Sequence, residues 1–265
     1  MAVRFPELRT GTTMDEPDRL AMEHAALAAW PARETEDHDG WILRASDGVT
    51  KRANSATVLA QAGAAQAARI ACCEDFYRTR GLPCIFRLPS FVDGVAGLDH
   101  TLADREYRFL DLSLVLHRSL VPPPPVPAEV DAACGLLARD GWLDRFAELA
   151  GLSQTSRDGQ AGILQRIHGP TLYAVRLERD AVVCAGLGVM HGERLGLFDV
   201  VTRTDRRGRG LARGLITWLM QQARARGART DYLQVVGDNL GAIALYEGLG
   251  FRRIYHYWYR MQPPR

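Results

Sequence analysis

Three observations predict an α/β fold with a mixed β-sheet (α+β), arranged as two similar halves in tandem. The chain has 265 residues, 47% of them hydrophobic, and a net charge of only +2, which is typical of a folded protein. Strand-like and helix-like segments alternate through the second half. Four consecutive prolines at 122–125 cannot continue a helix or a central strand. We therefore predict a first domain at 1–120, a proline-rich linker at 121–128 and a second domain at 129–265.

The elements of the second half follow from the spacing of its apolar residues. Its predicted strands are 171–177, 181–190, 195–202, 231–236 and 252–261. Its predicted helices are 129–139, 142–150, 210–226 and 240–248. Gly227 is expected to end the third helix, and the polar stretch 153–159 is predicted to be a loop. This order, with a strand–helix–strand crossover after a meander, indicates a mixed sheet.

The first half repeats this order in a weaker form. Its predicted elements are strands at 41–44, 49–54 and 85–88 and an alanine-rich helix at 61–78. Similar features recur at nearly equal offsets, namely 144 residues from Gly48 to Gly192, 146 from Gly81 to Gly227 and 144 from Tyr107 to Phe251. The offsets predict that the two halves arose by duplication.

The most informative stretch is 202–214, which reads Thr-Arg-Thr-Asp-Arg-Arg-Gly-Arg-Gly-Leu-Ala-Arg-Gly. It follows an apolar strand and opens an amphipathic helix. Gly208 and Gly210 let the backbone approach an anion, the helix N-terminus presents N–H groups to it, and Arg207 and Arg209 add positive charge. Neither the dinucleotide-binding fingerprint nor the P-loop fits this sequence. The stretch predicts a phosphate site; the alternative is a solvated, arginine-rich turn that caps the helix.

A second stretch, 239–251, reads Asn-Leu-Gly-Ala-Ile-Ala-Leu-Tyr-Glu-Gly-Leu-Gly-Phe. Together the two stretches resemble the GNAT superfamily of acetyl-CoA-dependent N-acetyltransferases. The family's pyrophosphate motif, Arg/Gln-x-x-Gly-x-Gly/Ala, is similar to residues 207–212. Its motif Asn-x-x-Ala-x-x-Leu-Tyr-x-x-x-Gly-Phe is matched by Asn239, Ala242, Leu245, Tyr246, Gly250 and Phe251. The resemblance covers about residues 126–262 and implies the GNAT fold there.

The resemblance also implies roles for individual residues toward acetyl-CoA, the expected cosubstrate. The residues expected to cradle its pyrophosphate are Arg207, Gly208, Arg209, Gly210, Leu211 and Ala212, with Arg213 beside them. Val200, Val201 and Thr202 are expected to run beside the pantetheine arm, where a strand amide would polarise the thioester carbonyl. Asn239 would hydrogen-bond the pantetheine or a phosphate, and Ala242 belongs to the same site. Tyr246 is expected to be the general acid that protonates the departing thiolate.

The identity of the base is left open by the sequence. An attacking amine must lose a proton to a carboxylate, a histidine or a water molecule. Asp199 is the first candidate, although the family more often has a glutamate nearby or works through water, and a structural role for this carboxyl group is the alternative. His191, in a turn, is a weaker candidate.

The first half lacks the phosphate motif. Where it should lie, residues 55–63 contain no arginine and one glycine, so we predict a degenerate GNAT-like half that does not bind coenzyme A in this way. The segments 30–31 and 52–55 and Trp41 are candidates for the acceptor pocket; core and hairpin packing is the alternative.

Composition restricts the remaining functions. Acidic residues (31) nearly balance basic ones (33), which does not favour nucleic-acid binding. The five cysteines are too few for a disulfide framework, and Cys72, Cys73 and Cys84 have no histidine at metal-ligand spacing, so no metal is expected. No signal peptide or membrane span is evident, and a cytoplasmic location is expected. Lys51 is the only lysine.

The sequence thus predicts an N-acetyltransferase that acts on a primary amine in a ternary complex. A non-catalytic acyl-CoA sensor or interaction protein is the alternative, and an arginine-rich nucleic-acid module is a third, less favoured one. The acceptor and the oligomeric state are not predicted. Residues 142–168, with the first half, are expected to choose the acceptor.

Overall fold

The structure is a computed structural model that describes residues 14–61, 63–119 and 122–263. Its strands are β1 (Glu34–His38), β2 (Trp41–Ala45), β3 (Ala56–Val58), β4 (Ile85–Pro89), β5 (Arg108–Ser119), β6 (Cys134–Leu136), β7 (Thr171–Glu178), β8 (Ala181–His191), β9 (Arg194–Thr202), β10 (Thr230–Val236) and β11 (Arg252–Met261). Its helices are α1 (Glu16–Ala29), α2 (Gln66–Arg78), α3 (Val95–Asp104), α4 (Ala128–Ala133), α5 (Arg139–Ala150), α6 (Gln154–Gln165), α7 (Leu211–Arg224) and α8 (Leu240–Gly248). The predicted α/β fold with a mixed sheet is confirmed.

The strands form one sheet in the order β1-β2-β3-β4-β11-β5-β10-β9-β8-β7-β6. Strands β1 to β4 pair antiparallel, antiparallel and then parallel, and β7 to β10 repeat this pattern. The last strand of each half is exchanged, because β5 pairs with β10 while β11 pairs with β4. The exchanged strands β5 and β11 also pair with each other at the centre. The two halves therefore complete one another's sheet.

Helices cover both faces of the second half. One face packs against α7 and α8 through residues such as Ala174, Leu197 and Leu215. The opposite face packs against α5, α6 and α1 through the neighbouring strand residues Val175 and Phe198, as the alternation of side chains along a strand requires. Helix α1 belongs to the first half of the chain but lies on β8 and β9 of the second. In the first half, α2 and α3 share a core with β2, β3 and β4, in which Cys73 and Cys84 are buried.

The loop predicted at 153–159 is wrong, because these residues begin helix α6. The Ser153 side chain caps this helix by accepting a hydrogen bond of 3.2 Å from the backbone N–H of Ser156. The buried residues Ile163 and Leu164 lie near the end of the helix, beyond the polar stretch. Gln154, Thr155 and Asp158 are exposed, which explains the polar first turns, whereas Gly159 and Gln160 are buried.

The strand predicted at 49–54 is also wrong. Residues Lys51–Ala53 form a 3-10 turn, and the Thr50 hydroxyl accepts a hydrogen bond from the N–H of Ala53 at its start. The Asn54 side-chain oxygen then accepts hydrogen bonds from the N–H groups of Ser46 and Gly48, which holds a compact loop before β3. Hydrogen bonds between side chains and the backbone therefore replace the hydrogen bonds to a neighbouring strand that the prediction implied.

The helix predicted at 129–139 is shorter than expected. It ends at Ala133, and Cys134–Leu136 form the edge strand β6, which pairs with β7. Three residues carry too little periodicity to reveal a strand. Among the described residues, no helix combines the length and the apolar character needed to cross a membrane.

Candidate active site

Strands β9 and β10 separate partway along their length and leave an opening in the sheet. Their parallel pairing runs from Arg194 opposite Thr230 to Leu197 opposite Leu233 and then stops. Beyond that point β9 bulges, since its register against β8 shifts and Asp199 has a φ of +50°. Aspartate tolerates this left-handed conformation better than most residues. The bulge turns the end of β9 away from β10.

The loop 203–210, which contains a 3-10 turn at Thr204–Arg206, connects this end of β9 to the N-terminus of α7. Gly210, the cap residue of α7, has a φ of +73°, and Gly208 has a φ of +77°. No side chain caps the helix within the described residues, so its first N–H groups point outward. A Cβ atom at Gly208 or Gly210 would meet nothing within 4 Å, so the glycines supply backbone freedom and leave the approach open. This is the geometry of an anion site.

The arginines of this loop divide into two groups. Arg203 and Arg206 are held by Asp205, and Arg206 also pairs with Glu178. In the described part of the chain, no carboxylate lies within 4 Å of Arg207, Arg209 or Arg213, although Arg207 and Arg213 donate to the carbonyls of Thr202 and Gly248. These three cations have no countercharge nearby.

A cavity of about 360 Å³ lies beside the first two turns of α7, along the helix face that carries Arg213 and Thr217. Arg209, Gly210 and Arg213 line one side, and the prolines of 124–127 line the other. The proline segment is held in place there, because the Gln221 amide donates a hydrogen bond of 3.2 Å to the carbonyl of Pro124. Arg209 and Arg213 place positive charge at this cavity, and Gly210 connects it to the open N–H groups at the start of α7, an arrangement that suits a pyrophosphate.

A second cavity, of about 350 Å³, occupies the opening between the strands. We call it the central cavity. It is lined from the second half by β9, β10, α8 and β11, and from the first half by β5 and the turn after Thr50. The residues that line it are Thr50, Lys51, Arg52, Asp111, Ser113, Leu197, Phe198, Asp199, Val200, Gln234, Val235, Val236, Asn239, Ala242, Tyr246, Tyr257 and Tyr259. It is a joint product of both halves.

The cofactor-binding residues expected from the sequence fall into three groups. Val200, Asn239, Ala242 and Tyr246 line the central cavity, and Arg209, Gly210 and Arg213 line the cavity at α7. The remaining residues line neither. Among these, Leu211 and Ala212 face the core, so their backbone is what they can offer a ligand, and the Thr202 hydroxyl lies 3.2 Å from Cys184 Sγ. Val201 packs in the core on the α1 side.

Asn239 has a structural task as well. Its side-chain oxygen accepts a hydrogen bond of 3.1 Å from the N–H of Ala242 and so caps α8. The side-chain amide group, which can only donate, is the part of Asn239 left for a ligand.

Tyr246 lies in α8 with its ring against Phe251, at a centroid distance of 5.8 Å. Its side chain is largely buried, yet it lines the central cavity. Burial, with a smaller contribution from Cys184, raises the pKa of Tyr246 to about 12. The phenol therefore keeps its proton throughout the physiological pH range.

Asp199 lines the same cavity and is 13% exposed. The Gln160 amide donates to Asp199 Oδ2 at 2.5 Å, and Arg52 Nη2 lies 3.7 Å from Oδ1. Burial raises the pKa of Asp199 above its ordinary value, while Arg52 and Gln160 act in the opposite direction. A carboxylate with a raised pKa accepts a proton more readily. His191 lies at the end of β8, outside this cavity.

Several cavity residues were missed by the sequence analysis. Lys51, Asp111, Gln234, Tyr257 and Tyr259 come from four separate segments and belong to no local motif. The single lysine was a visible signal, but nothing in the sequence related it to a site. Of the acceptor-pocket candidates, Arg52 lines the cavity. Trp41 instead lies in the core of the first half against Phe86.

Comparison with known proteins gives a consistent result. Residues 18–260 match the sequence model of the family described as "Probable histone acetyltransferase Rv0428c C-terminal". The uncharacterized N-acetyltransferase YobR of Bacillus subtilis (strain 168) is 30% identical over 249 residues, which are 92% of this chain and 99% of that protein.

Solved structures share the fold. A GCN5-related N-acetyltransferase from Sphaerobacter thermophilus superposes with a TM-score of 0.59 at 20% identity, over 76% of this chain and 70% of the other. One from Kribbella flavida gives 0.64 at 14% identity, over 96% and 98%. With the family match over nearly the whole chain, these findings show that the chain belongs to the GNAT superfamily and is an N-acetyltransferase.

Proposed function

We propose that the enzyme transfers the acetyl group of acetyl-CoA to a primary amine, by direct attack while both substrates are bound. One observation carries this proposal: Tyr246 and Asp199 line the same cavity, at the point where β9 and β10 separate. A proton donor and a proton acceptor are the two groups that acyl transfer to an amine requires.

The donor would lie between the two cavities. The outward N–H groups of α7, with Arg207, Arg209 and Arg213, would hold the pyrophosphate, because these cations have no carboxylate near them in the described chain. Val200, Val201 and Thr202 would flank the pantetheine arm as it runs along the open end of β9. The Asn239 amide would donate a hydrogen bond to the arm or to a phosphate.

Acetyl-CoA supplies an acetyl group that is activated as a thioester. Asp199 would accept the proton of the incoming ammonium group, directly or through a water molecule, and so produce the neutral nucleophile. A backbone N–H of β9 would hydrogen-bond the carbonyl oxygen as negative charge develops on it. The nitrogen would attack the carbonyl carbon, and the C–S bond would then break as Tyr246 donates its proton to the departing sulfur. The second proton that the nitrogen must lose would pass to the Tyr246 oxygen, directly or through a water molecule, and so restore the phenol.

We also propose the division into a first half at 1–120, a linker at 121–128 and a catalytic half at 129–265. The repeated pairing of β1–β4 and β7–β10 supports a duplication. The first half would not bind acetyl-CoA as the second does, since the segment between β3 and α2 carries no arginine. Its contribution would be to the acceptor side of the central cavity, through Arg52 and Asp111.

The test combines calorimetry with a thiol-release assay. We expect acetyl-CoA to bind in calorimetry, and free thiol to appear when acetyl-CoA is supplied with mixed primary amines. Binding without thiol release across a broad amine panel would contradict amine acetylation and favour an acyl-CoA sensor. Absence of binding would contradict the proposed donor.

A further inference from the structure

One cation in the central cavity has no hydrogen-bonding partner for its side chain in the described residues. This is Arg52, whose guanidinium donates no hydrogen bond there; Asp199 is the one carboxylate within 4 Å of it, at 3.7 Å. The side chain is 27% exposed and lines the cavity. Five N–H donors facing a partly desolvated cavity are poised for a planar anion.

The other cations close to this cavity are already paired. Lys51 forms an ion pair with Asp111 and lies 5.7 Å from the centre of the Tyr259 ring. Arg44 donates hydrogen bonds to main-chain carbonyls, and Arg87 pairs with the buried Glu23. Arg52 is paired as well, with Asp199, but at 3.7 Å and without a hydrogen bond, so among these cations it has the donors that an incoming anion would meet.

The position of Arg52 is well defined. Its guanidinium lies 4.3 Å from the ring centre of Trp30 and 5.4 Å from that of Phe198, and the two rings stack on each other. Its backbone carbonyl accepts a hydrogen bond of 2.9 Å from Arg44 Nη1. A guanidinium held in this way loses little conformational freedom when it binds an anion.

The short distance between Arg52 and Asp199 restricts the ligand. If Asp199 receives the amino group and Arg52 the anion, both groups must lie close together on the acceptor. An α-amino acid meets this condition, because one carbon atom carries both its amino group and its carboxylate. A guanidinium fork also matches the two oxygens of a carboxylate.

We infer that the acceptor is a free amino acid, with its carboxylate bound by Arg52 and its amino group at Asp199. This inference rests on the proposed function and adds the substrate class to it. The side chain of the acceptor would face Tyr257, Tyr259 and Gln234 on the remaining wall of the cavity.

The experiment compares three forms of each acceptor. Thiol release from acetyl-CoA is measured with each standard L-amino acid and β-alanine, with the corresponding carboxamide, and with the decarboxylated amine. We expect kcat/KM for the best amino acid to exceed that of its carboxamide by about tenfold to a hundredfold, as the loss of a charged hydrogen-bond partner predicts.

Variants identify the group responsible. In Arg52→Met, which keeps an apolar stem over Trp30, this preference should fall to about onefold. In the matched variant Arg69→Met, which removes an arginine that lies over Trp41 outside the central cavity, the preference should persist. If Arg52→Met does not fold, Arg52→Lys serves instead; it keeps the charge but loses the paired hydrogen bonds, and the preference should again fall. The preference is the ratio of kcat/KM for the amino acid to kcat/KM for its carboxamide, measured in the same variant. A change in the basicity of Asp199 affects both values equally and does not change this ratio.

The outcomes separate this inference from the proposed function. Equal rates with carboxylates and carboxamides, or a preference that survives in Arg52→Met, would overturn the amino-acid acceptor while amine acetylation stands. If no thiol is released with any compound, the proposed function fails, and calorimetry with coenzyme A present then decides the inference. Binding of an amino acid but not of its carboxamide would support it, and binding of neither would overturn it.

Discussion

Tyr246, the proposed general acid, lies in a helix whose ends are set by its own sequence. Asn239 caps the start of α8, and the Tyr246 ring then packs against Phe251, which follows the helix. This packing holds the ring in the core while the residue still reaches the cavity. Because the pKa of Tyr246 is raised to about 12, the residue is suited to donate a proton and not to accept one.

Replacing Tyr246 by phenylalanine should therefore lower kcat by about a hundredfold and leave the KM for acetyl-CoA nearly unchanged, since general acids contribute at about this scale. The ring packing is retained, so the melting temperature should hardly change. Tyr173→Phe, on β7 and outside the central cavity, is the matched control and should keep full activity. Full activity in Tyr246→Phe would exclude the residue as the acid.

Asp199 should set the acidic limb of the pH profile. The base works only when ionised, so kcat/KM should fall as the pH drops through the raised pKa of this carboxyl group. Asp199→Asn should lower kcat/KM by about a hundredfold and abolish that limb. A pH profile from about pH 5 to about pH 9, recorded for both proteins, tests this directly. This range lies above the ordinary pKa of a carboxyl group and below that of a phenol. An unchanged limb in the variant would assign it to another group.

The ionisation of Asp199, which activity requires, should have the opposite effect on the stability of the fold. A carboxyl group whose pKa is higher in the folded state than in the unfolded state favours folding when protonated, and this contribution is lost as the pH rises through the folded-state value. At neutral pH the ionised Asp199 thus opposes folding, and Asp199→Asn should melt at the same or a higher temperature. A lower melting temperature would show that the ion pair with Arg52 outweighs desolvation.

At the scale of the element, the N-terminus of α7 combines three properties that a phosphate site needs. Within the described chain, α7 has no side-chain cap, and no carboxylate lies within 4 Å of Arg207, Arg209 or Arg213. Gly210, with a φ of +73°, lets the backbone approach a ligand closely. A carboxylate placed there would satisfy the N–H groups that a phosphate would otherwise bind.

Gly210→Asp should accordingly raise the KM for acetyl-CoA at least about tenfold. The substitution also strains the backbone, because the residue lies in the left-handed region, at a cost of about 1 kcal/mol. Gly192→Asp is the matched control: its φ is +56°, a Cβ atom there meets nothing within 4 Å, and it lies in the turn between β8 and β9. Calorimetric titration with acetyl-CoA should show weaker binding in Gly210→Asp and unchanged binding in Gly192→Asp. Equal affinity of the two variants would mean that the phosphates bind elsewhere.

At the scale of the whole molecule, the two halves are interlocked. Strand β5 lies between β10 and β11, so without it the two strands of the second half that flank it would lose a partner. Helix α1 covers the sheet of the second half, and its buried Glu23 pairs with Arg87 of β4 and accepts a hydrogen bond from the Tyr255 hydroxyl of β11. Removing one partner of a buried ion pair usually costs several kcal/mol, about 3 to 5.

The second half produced alone, residues 122–265, should therefore fail to fold as a stable monomer. Circular dichroism and thermal unfolding should show no cooperative transition, and the fragment should have no acetyltransferase activity. Co-production with residues 1–121 should restore both, because β5 and α1 are then supplied in trans. A stable, active fragment would show that the exchanged strand is dispensable.

The sequence by itself determined the local elements and the donor motif. Apolar spacing located the five main strands of the second half, and the resemblance found α7, α8 and the residues around Arg207 and Tyr246 because each motif is continuous along the chain. Polar segments were the failures. The stretch that became α6 and the turn at Lys51–Ala53 are shaped by side-chain caps, which the pattern of apolar residues does not report.

Only the tertiary structure decided what surrounds the reacting groups. The exchange of β5 and β11 brings Asp111 and Tyr257 to the cavity, and the turn after Thr50 brings Lys51 and Arg52, from positions far apart in the chain. No local sequence pattern encodes such an exchange, since it depends on which strand edges of the two halves lie side by side in the sheet. The proposed donor side of the site was thus readable as a motif, whereas the proposed acceptor side is a product of how the two halves pair.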